Sequence, residues 1–208
     1  SFDRPPNGRR GWVSMKTNEI FIPEGVDKKL NIAEDSSLDG SYILTAHVAK
    51  NASLTIKEVI KTTTPRTVRF TALLEGEGAS LVDTCRYQVF GKALLDIERV
   101  VVHAAPHTTS HVDARGVAGD AARVLWRGRI VVKREAKRAQ AFQRHDAILA
   151  SKDAVVDAAP FLEIFTHDVS CKHSASVRRI QPEHIFYMGS RGIVEDEARN
   201  MLLKGFLA

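Results

Sequence analysis

Short runs of β-branched and aromatic residues recur from Ile20 onward: Ile20-Phe21-Ile22, Tyr42-Ile43-Leu44, Val68-Arg69-Phe70, Val100-Val101-Val102, Ile130-Val131-Val132 and the stretch from Phe161 to Phe165. Such residues fit a pleated, half-buried surface, so strands are expected throughout this region. Between the runs a small-residue step repeats, in which Ala is followed two positions later by Leu or Val. It occurs at Ala52-Ser53-Leu54, Ala79-Ser80-Leu81, Ala122-Arg123-Val124, Ala154-Val155-Val156 and Ala175-Ser176-Val177. The spacing is irregular, but a small residue at a tight corner followed by an inward aliphatic one is what a stack of β-rungs needs. A β-sandwich would call for repeated tight hairpins, and the one Asp-Gly pair, Asp39-Gly40, stands alone. The pattern favours an all-β chain built as a parallel β-helix over residues 20–180.

Both ends read differently. Residues 1–19 open with Pro5, Pro6, Asn7 and Gly8 among arginines, the composition of an extended arm. Residues 181–208 read as a short helical tail. Pro182 suits a first helical turn, and Gly189-Ser190-Arg191-Gly192 breaks the segment. Glu195, Asp196 and Glu197 then crowd the positive end of a second helix, with Lys204 near its negative end, Gly205 as a stop, and Ala198, Met201 and Leu202 on one apolar face. One internal stretch resists the strand pattern: Lys133 to Ala147 is rich in strong helix formers and lacks β-branched residues, so propensity alone predicts a helix there.

Composition narrows the function classes. With 208 residues and 44% hydrophobic side chains the chain can bury a core, which excludes wholesale disorder. The net charge of +5 arises from 30 basic residues dispersed among 25 acidic ones, a solvated mixed surface more than an anion-binding one. The basic run Lys133, Arg134, Lys137 and Arg138 is interrupted by Glu135 and has few aromatics around it, so no nucleic-acid partner is expected. Two cysteines are too few for a disulfide framework, and no long apolar run is present. A reducing cytoplasm without membrane insertion is the expectation.

Candidate chemistry rests on histidine and cysteine. His103, His107 and His111 recur every four residues and would share one face of a strand or straight helix; a metal-hydrolase site is one reading, and ordinary hydrogen bonding is the favoured one. Cys171-Lys172-His173 is sharper, because alternate strand positions point a thiol and an imidazole the same way, a soft pair suited to zinc or iron. Further ligands would have to come from His167 or a second subunit; the rival reading is a structural Cys beside a surface His. Cys85 has no motif around it and reads as structural. No Walker-type loop, dinucleotide fingerprint or His-Glu-x-x-His occurs, so an enzyme with its own nucleotide site is disfavoured.

An extended series then stands out: Val102-His103-x-Ala105-Pro106-x-Thr108-x-Ser110, Gly128 to Val132, Ala139 to Gln143, Pro160 to Ile164, Asp168 to Val177, Ile185 to Ile193, Glu197-Ala198-Arg199 and Gly205-Phe206. In order and spacing it resembles the SufB/SufD family, paired β-helix subunits of an iron–sulfur cluster assembly machine. The Cys-x-His at Cys171 and His173 is more similar to SufD than to SufB, which has an acidic residue at the second position. The resemblance implies a right-handed parallel β-helix with a C-terminal helical tail, and strands and corners, not helix, over Lys133 to Ala147. It implies no catalysis by this chain. Cys171 and His173 would face a subunit interface where a nascent iron–sulfur cluster is held, in a homodimer or a SufB/SufD-like heterodimer. The tail would dock SufC, an ABC-type ATPase, with Phe186, Tyr187, Arg191, Gly192 and Ile193 as candidate contacts. The alternative is a structural SufD-like subunit that binds no cluster. Family members carry a large N-terminal segment and more rungs than 208 residues can hold, so a short form is implied, in the cytoplasm or in a plastid or other organelle.

Overall fold

The computed structural model describes residues 15–32 and 40–208. The Pro- and Gly-rich part of the expected arm and Asp39 of the lone Asp-Gly pair lie outside the described residues. Within them the strands are β1 (Lys16–Ile22), β2 (Asp27–Asn31), β3 (Tyr42–Val48), β4 (Ser53–Thr62), β5 (Arg66–Leu74), β6 (Ser80–Val89), β7 (Leu94–His103), β8 (Thr109–Ala118), β9 (Arg123–Val132), β10 (Ala139–Leu149), β11 (Val155–Ile164) and β12 (Val169–Arg179). Two helices follow, α1 (Pro182–Ser190) and α2 (Glu195–Leu207). Lys16 to Glu19, placed in the arm by composition, are the start of β1.

Each strand from β1 to β10 pairs in parallel with the strand two places further along the chain, so odd strands stack in one sheet and even strands in the other. The result is the expected parallel β-helix, a solenoid of about five turns. Alternation decides what lies inside: on β3 the pattern buries Tyr42, Leu44, Ala46 and Val48 and leaves the residues between them half-exposed. Aliphatic side chains such as Leu44, Leu54, Leu74 and Leu95 stand fully buried along the axis, each stabilising the fold by roughly 1.5–3 kcal/mol relative to exposure.

The small-residue steps mark the corners. Ala52, Ala79, Ala122 and Ala154 are buried, as their spacing predicts, while Ala175 lies exposed on β12, which no later rung covers. One corner repeats with a left-handed residue in successive turns: Gly25, Asn51, Gly78, His107 and Arg138 all have positive φ. The N–H of each donates to a carbonyl in the next turn, those of Lys50, Glu77, Pro106, Lys137 and Asp168 respectively. This ladder satisfies backbone groups that a sharp bend would otherwise orphan.

Two propensity readings are corrected. Lys133 to Ala147 is not a helix: its first six residues form a corner, with Arg138 in the left-handed region, and β10 begins at Ala139. Pairing of β10 with both β8 and β12 supplies hydrogen bonds and burial that outweigh the few tenths of a kcal/mol per residue by which helix propensities differ. Gly205 does not stop α2, which continues to Leu207; the Phe206 and Leu207 carbonyls beyond the glycine accept from Arg115 and Arg86 of the solenoid.

Candidate functional site

The solenoid ends at β11 and β12, the last strands of their sheets, each paired on one side only. Inward apolar side chains that a further rung would cover are therefore exposed there: Ile164 on β11, in register with the buried Val132, and Val177 on β12, in register with the buried Ala147; Phe165, just past β11, is exposed beside them. Stacking register carries two inward rows to this end. One runs Leu54, Leu81, Ser110, Ala141, Cys171; the next runs Ile56, Asp83, Val112, Gln143, His173. Cys171 and His173 thus share the inward side of the terminal strand, as the Cys-x-His spacing predicts.

Their environments differ. Cys171 is half-buried against Ile130, Val132, Ala136, Ala139 and Ala141, and burial pushes its thiol upward in pKa, offset in part by a backbone hydrogen bond from Ala141. His173 is exposed. In the chain alone the sulfur is thus held as a thiol, and a metal approaching the open end would have to displace its proton. His167 is exposed in the loop before β12. Among the described residues no three His, Cys, Asp or Glu side chains are grouped to hold a metal ion, so Cys171 and His173 can be only part of a ligand set.

The histidine row does not converge. His103 is buried at the end of β7, with its two ring nitrogens 2.8 Å from the hydroxyls of Thr108 and Ser110, and burial drives its pKa down to about 4. His107 occupies the left-handed corner, and His111 stacks on Phe142 on the outer face with ring centroids 4.7 Å apart. A chain reversal separates residues that four-residue spacing would align on one element. Cys85 is buried, its thiol pushed up to about 12 by desolvation, in keeping with a structural role. Sequence reasoning missed the inward Gln143 and His145, buried beside the terminal rung with Trp126 stacked on His145 at 4.4 Å; inward polar residues on a strand carry no local signal.

The helical tail lies beyond β12. Arg86 donates from Nε to the carbonyl of Leu207 at 3.0 Å, Arg115 from Nη1 to that of Phe206 at 3.2 Å, and the Arg178 guanidinium lies 5.5 Å over the Phe206 ring. These contacts satisfy the carbonyls at the negative end of α2 with positive charge. Among the described residues the opposite side of the tail is uncovered. α1 buries none of its residues, Phe186 and Tyr187 are 79% and 60% exposed, and Arg191 stands 5.5 Å over the Tyr187 ring. Gly192, at φ +82°, turns the chain between the helices, and Ile193 is half-buried there. On α2 only Ala198 is buried, while Met201 of the expected apolar face is exposed. No helix among the described residues is long and apolar enough to cross a membrane.

These features define a class: a parallel β-solenoid with a Cys-x-His pair on its open terminal strand and a helical pair anchored beside it. Residues 31–206 match the family described as SUF system FeS cluster assembly, SufBD core domain, and the chain belongs to that family. Proteins called iron-sulfur cluster assembly SufBD family protein from Staphylococcus saprophyticus, Staphylococcus epidermidis and Staphylococcus aureus are similar to it. Each is 32% identical over 136 residues, covering 65% of this chain and 29% of the relative. The match thus spans under a third of these relatives' length.

Proposed function

We propose that this chain is a scaffold subunit of SUF-type iron–sulfur cluster assembly that pairs through its open solenoid end and docks a SufC-like ABC ATPase on residues 181–208. The nascent cluster is cargo, held by Cys171 and His173 together with ligands from the paired subunit, either a second copy or a SufB/SufD-like partner. The observation that carries the reading is the delivery of both side chains, by register, to the inward side of an unpaired terminal strand. Unpaired edges with exposed apolar neighbours favour strand addition by a partner, which would bury the pair and complete its ligand set. On the tail, an aromatic pair with an arginine stacked over Tyr187 has the composition of an interface hot spot, and Phe186, Tyr187, Arg191, Gly192 and Ile193 are its proposed contacts. ATP hydrolysis would be the partner's, with this chain itself non-catalytic. Two free cysteines suit a reducing cytoplasm or organelle interior.

A second reading, a structural subunit that binds no cluster, is favoured by one observation: Cys171 is half-buried against the apolar cluster of Ile130, Val132, Ala136, Ala139 and Ala141. Anaerobic reconstitution with iron and sulfide, with and without the cognate ATPase, separates the two. The wild type and a Cys171→Ser/His173→Ala variant are compared by visible absorption and light-scattering mass. Cluster absorption that needs both residues, in a complex containing the ATPase, is the expected outcome. An ATPase complex without absorption leaves a structural subunit, and failure of both reduces the kinship to fold alone.

A further inference from the structure

The solenoid interior holds a charged cluster remote from the open end. Glu58 on β4, Asp83 on β6 and Arg99 on β7 are 1%, 0% and 0% exposed. Alternation puts them there: Asp83 lies in register between Ile56 and Val112, Glu58 beside Cys85, and Arg99 between Phe70 and Gly128 on the facing sheet. Glu58 is fully engaged. Its Oε1 accepts from the Tyr42 hydroxyl at 2.6 Å, its Oε2 pairs with Arg99 Nη2, and the Cys85 thiol lies 4.0 Å away.

Asp83 is not engaged in that way. The Arg99 Nε stands 3.7 Å from its Oδ2, within ion-pair range but beyond hydrogen-bond reach, and among the described residues neither carboxyl oxygen has a hydrogen-bond partner. The single positive charge of Arg99 is already matched by Glu58. An ionised Asp83 would leave the three charged groups with a net negative charge sealed beside Ile56 and Val112. Desolvating a charge in that way costs far more than binding a proton at neutral pH.

We propose that Asp83 is a neutral carboxylic acid in the folded protein, so that closing the solenoid around Arg99 takes up one proton. The groups that face it fit this assignment. From β4 comes Glu58, from β7 Arg99 and from its own strand Cys85, while Ile56 on β4 and Val112 on β8 flank it in register; Tyr42 on β3 meets Glu58. Burial drives the Asp83 carboxyl upward in pKa, Arg99 opposes this, and Glu58 adds to the rise. Burial also raises the Tyr42 hydroxyl and the Cys85 thiol, so neither contributes charge near neutrality.

A group that binds its proton more tightly when folded adds stability below its unfolded pKa, and that stability is lost as pH rises toward the folded value. Relative to Asp83→Asn, which has no proton to lose, the wild type should show an unfolding constant that grows about tenfold per pH unit above the ordinary carboxylate range. The test is urea unfolding of both proteins from about pH 5 to about pH 8, together with infrared spectra of the folded state. The expected results are a wild-type to variant ratio of unfolding constants that climbs with pH, and a neutral carboxylic-acid carbonyl band present in the wild type and missing from Asp83→Asn. A constant offset between the proteins leaves that ratio's slope intact. A ratio that is flat or falls with pH would overturn the proposal. So would absence of the infrared band from the wild type, a reading that stands even where the variant does not fold. Glu58→Gln, which removes the partner of Arg99, should destabilise strongly; a fold that tolerates it while collapsing with Asp83→Asn reverses the roles and sinks the assignment.

Discussion

A Cβ added at Gly116 would lie 1.8 Å from the Tyr87 ring, whose hydroxyl is 2.9 Å from His145 Nε2. The ring would have to move and lose that partner, so Gly116→Ala should cost about 1–3 kcal/mol in urea unfolding. Gly189, with open space around it in α1, is the control: Gly189→Ala should be neutral or stabilising by at most about 1 kcal/mol. His103 and His145 give a pH signature. Burial lowers both to about 4, with Asp146 opposing the shift at His145. The folded state resists protonation that the unfolded chain accepts near 6.5, so stability falls as pH drops from that value toward about 4. Each histidine contributes about a tenfold change in unfolding constant per pH unit, and His103→Gln should flatten this acid limb in denaturation midpoints. At this scale Cys-x-His was legible as a same-face pair, because strand alternation is local. Which face it occupied, and that the face ends a stack, was not.

At the element scale, the tail hangs on a few contacts to β6, β8 and β12. Arg86 is itself braced by Asp113 at 2.7 Å, so its grip on the Leu207 carbonyl is preorganised. Arg86→Ala with Arg115→Ala should raise amide hydrogen exchange in α2 by about tenfold, equivalent to roughly 1.4 kcal/mol, while amides of β7 and β9 keep their protection. Unchanged exchange in α2 would mean that Phe206 packing alone holds it. The strand pattern was legible unevenly, and the reason is physical. All six apolar runs fall on odd-numbered strands, the last of them running one residue past β11. The even-numbered strands put Glu58, Asp83, Cys85, Gln143 and His145 inward, so their buried faces do not read as hydrophobic.

For the whole molecule, the open end is where pairing is proposed. Ile164 and Phe165 are already 41% and 62% exposed, so Ile164→Lys/Phe165→Lys should change stability by no more than about 0.5 kcal/mol. The same double variant should weaken association in analytical ultracentrifugation, whether with a second copy or with a SufB/SufD-like partner. Association that survives it moves the interface away from this end.

Local chemistry by itself determined the strand-rich body, the alanine corners buried at Ala52, Ala79, Ala122 and Ala154, the two tail helices starting near Pro182 and Glu195, and the Cys171–His173 alternation. These follow from side-chain shape and period, which act over a few residues. Tertiary structure decided, against local propensity and as the family resemblance implied, that Lys133 to Ala147 is corner and strand; it alone decided that α2 runs through Gly205, that the three histidines part company, and that a charged cluster sits on the axis. Each is set by partners roughly one turn of the solenoid or more away in sequence. Hydrogen bonding on both strand edges and closure of the core outweigh propensities of less than about 1 kcal/mol per residue.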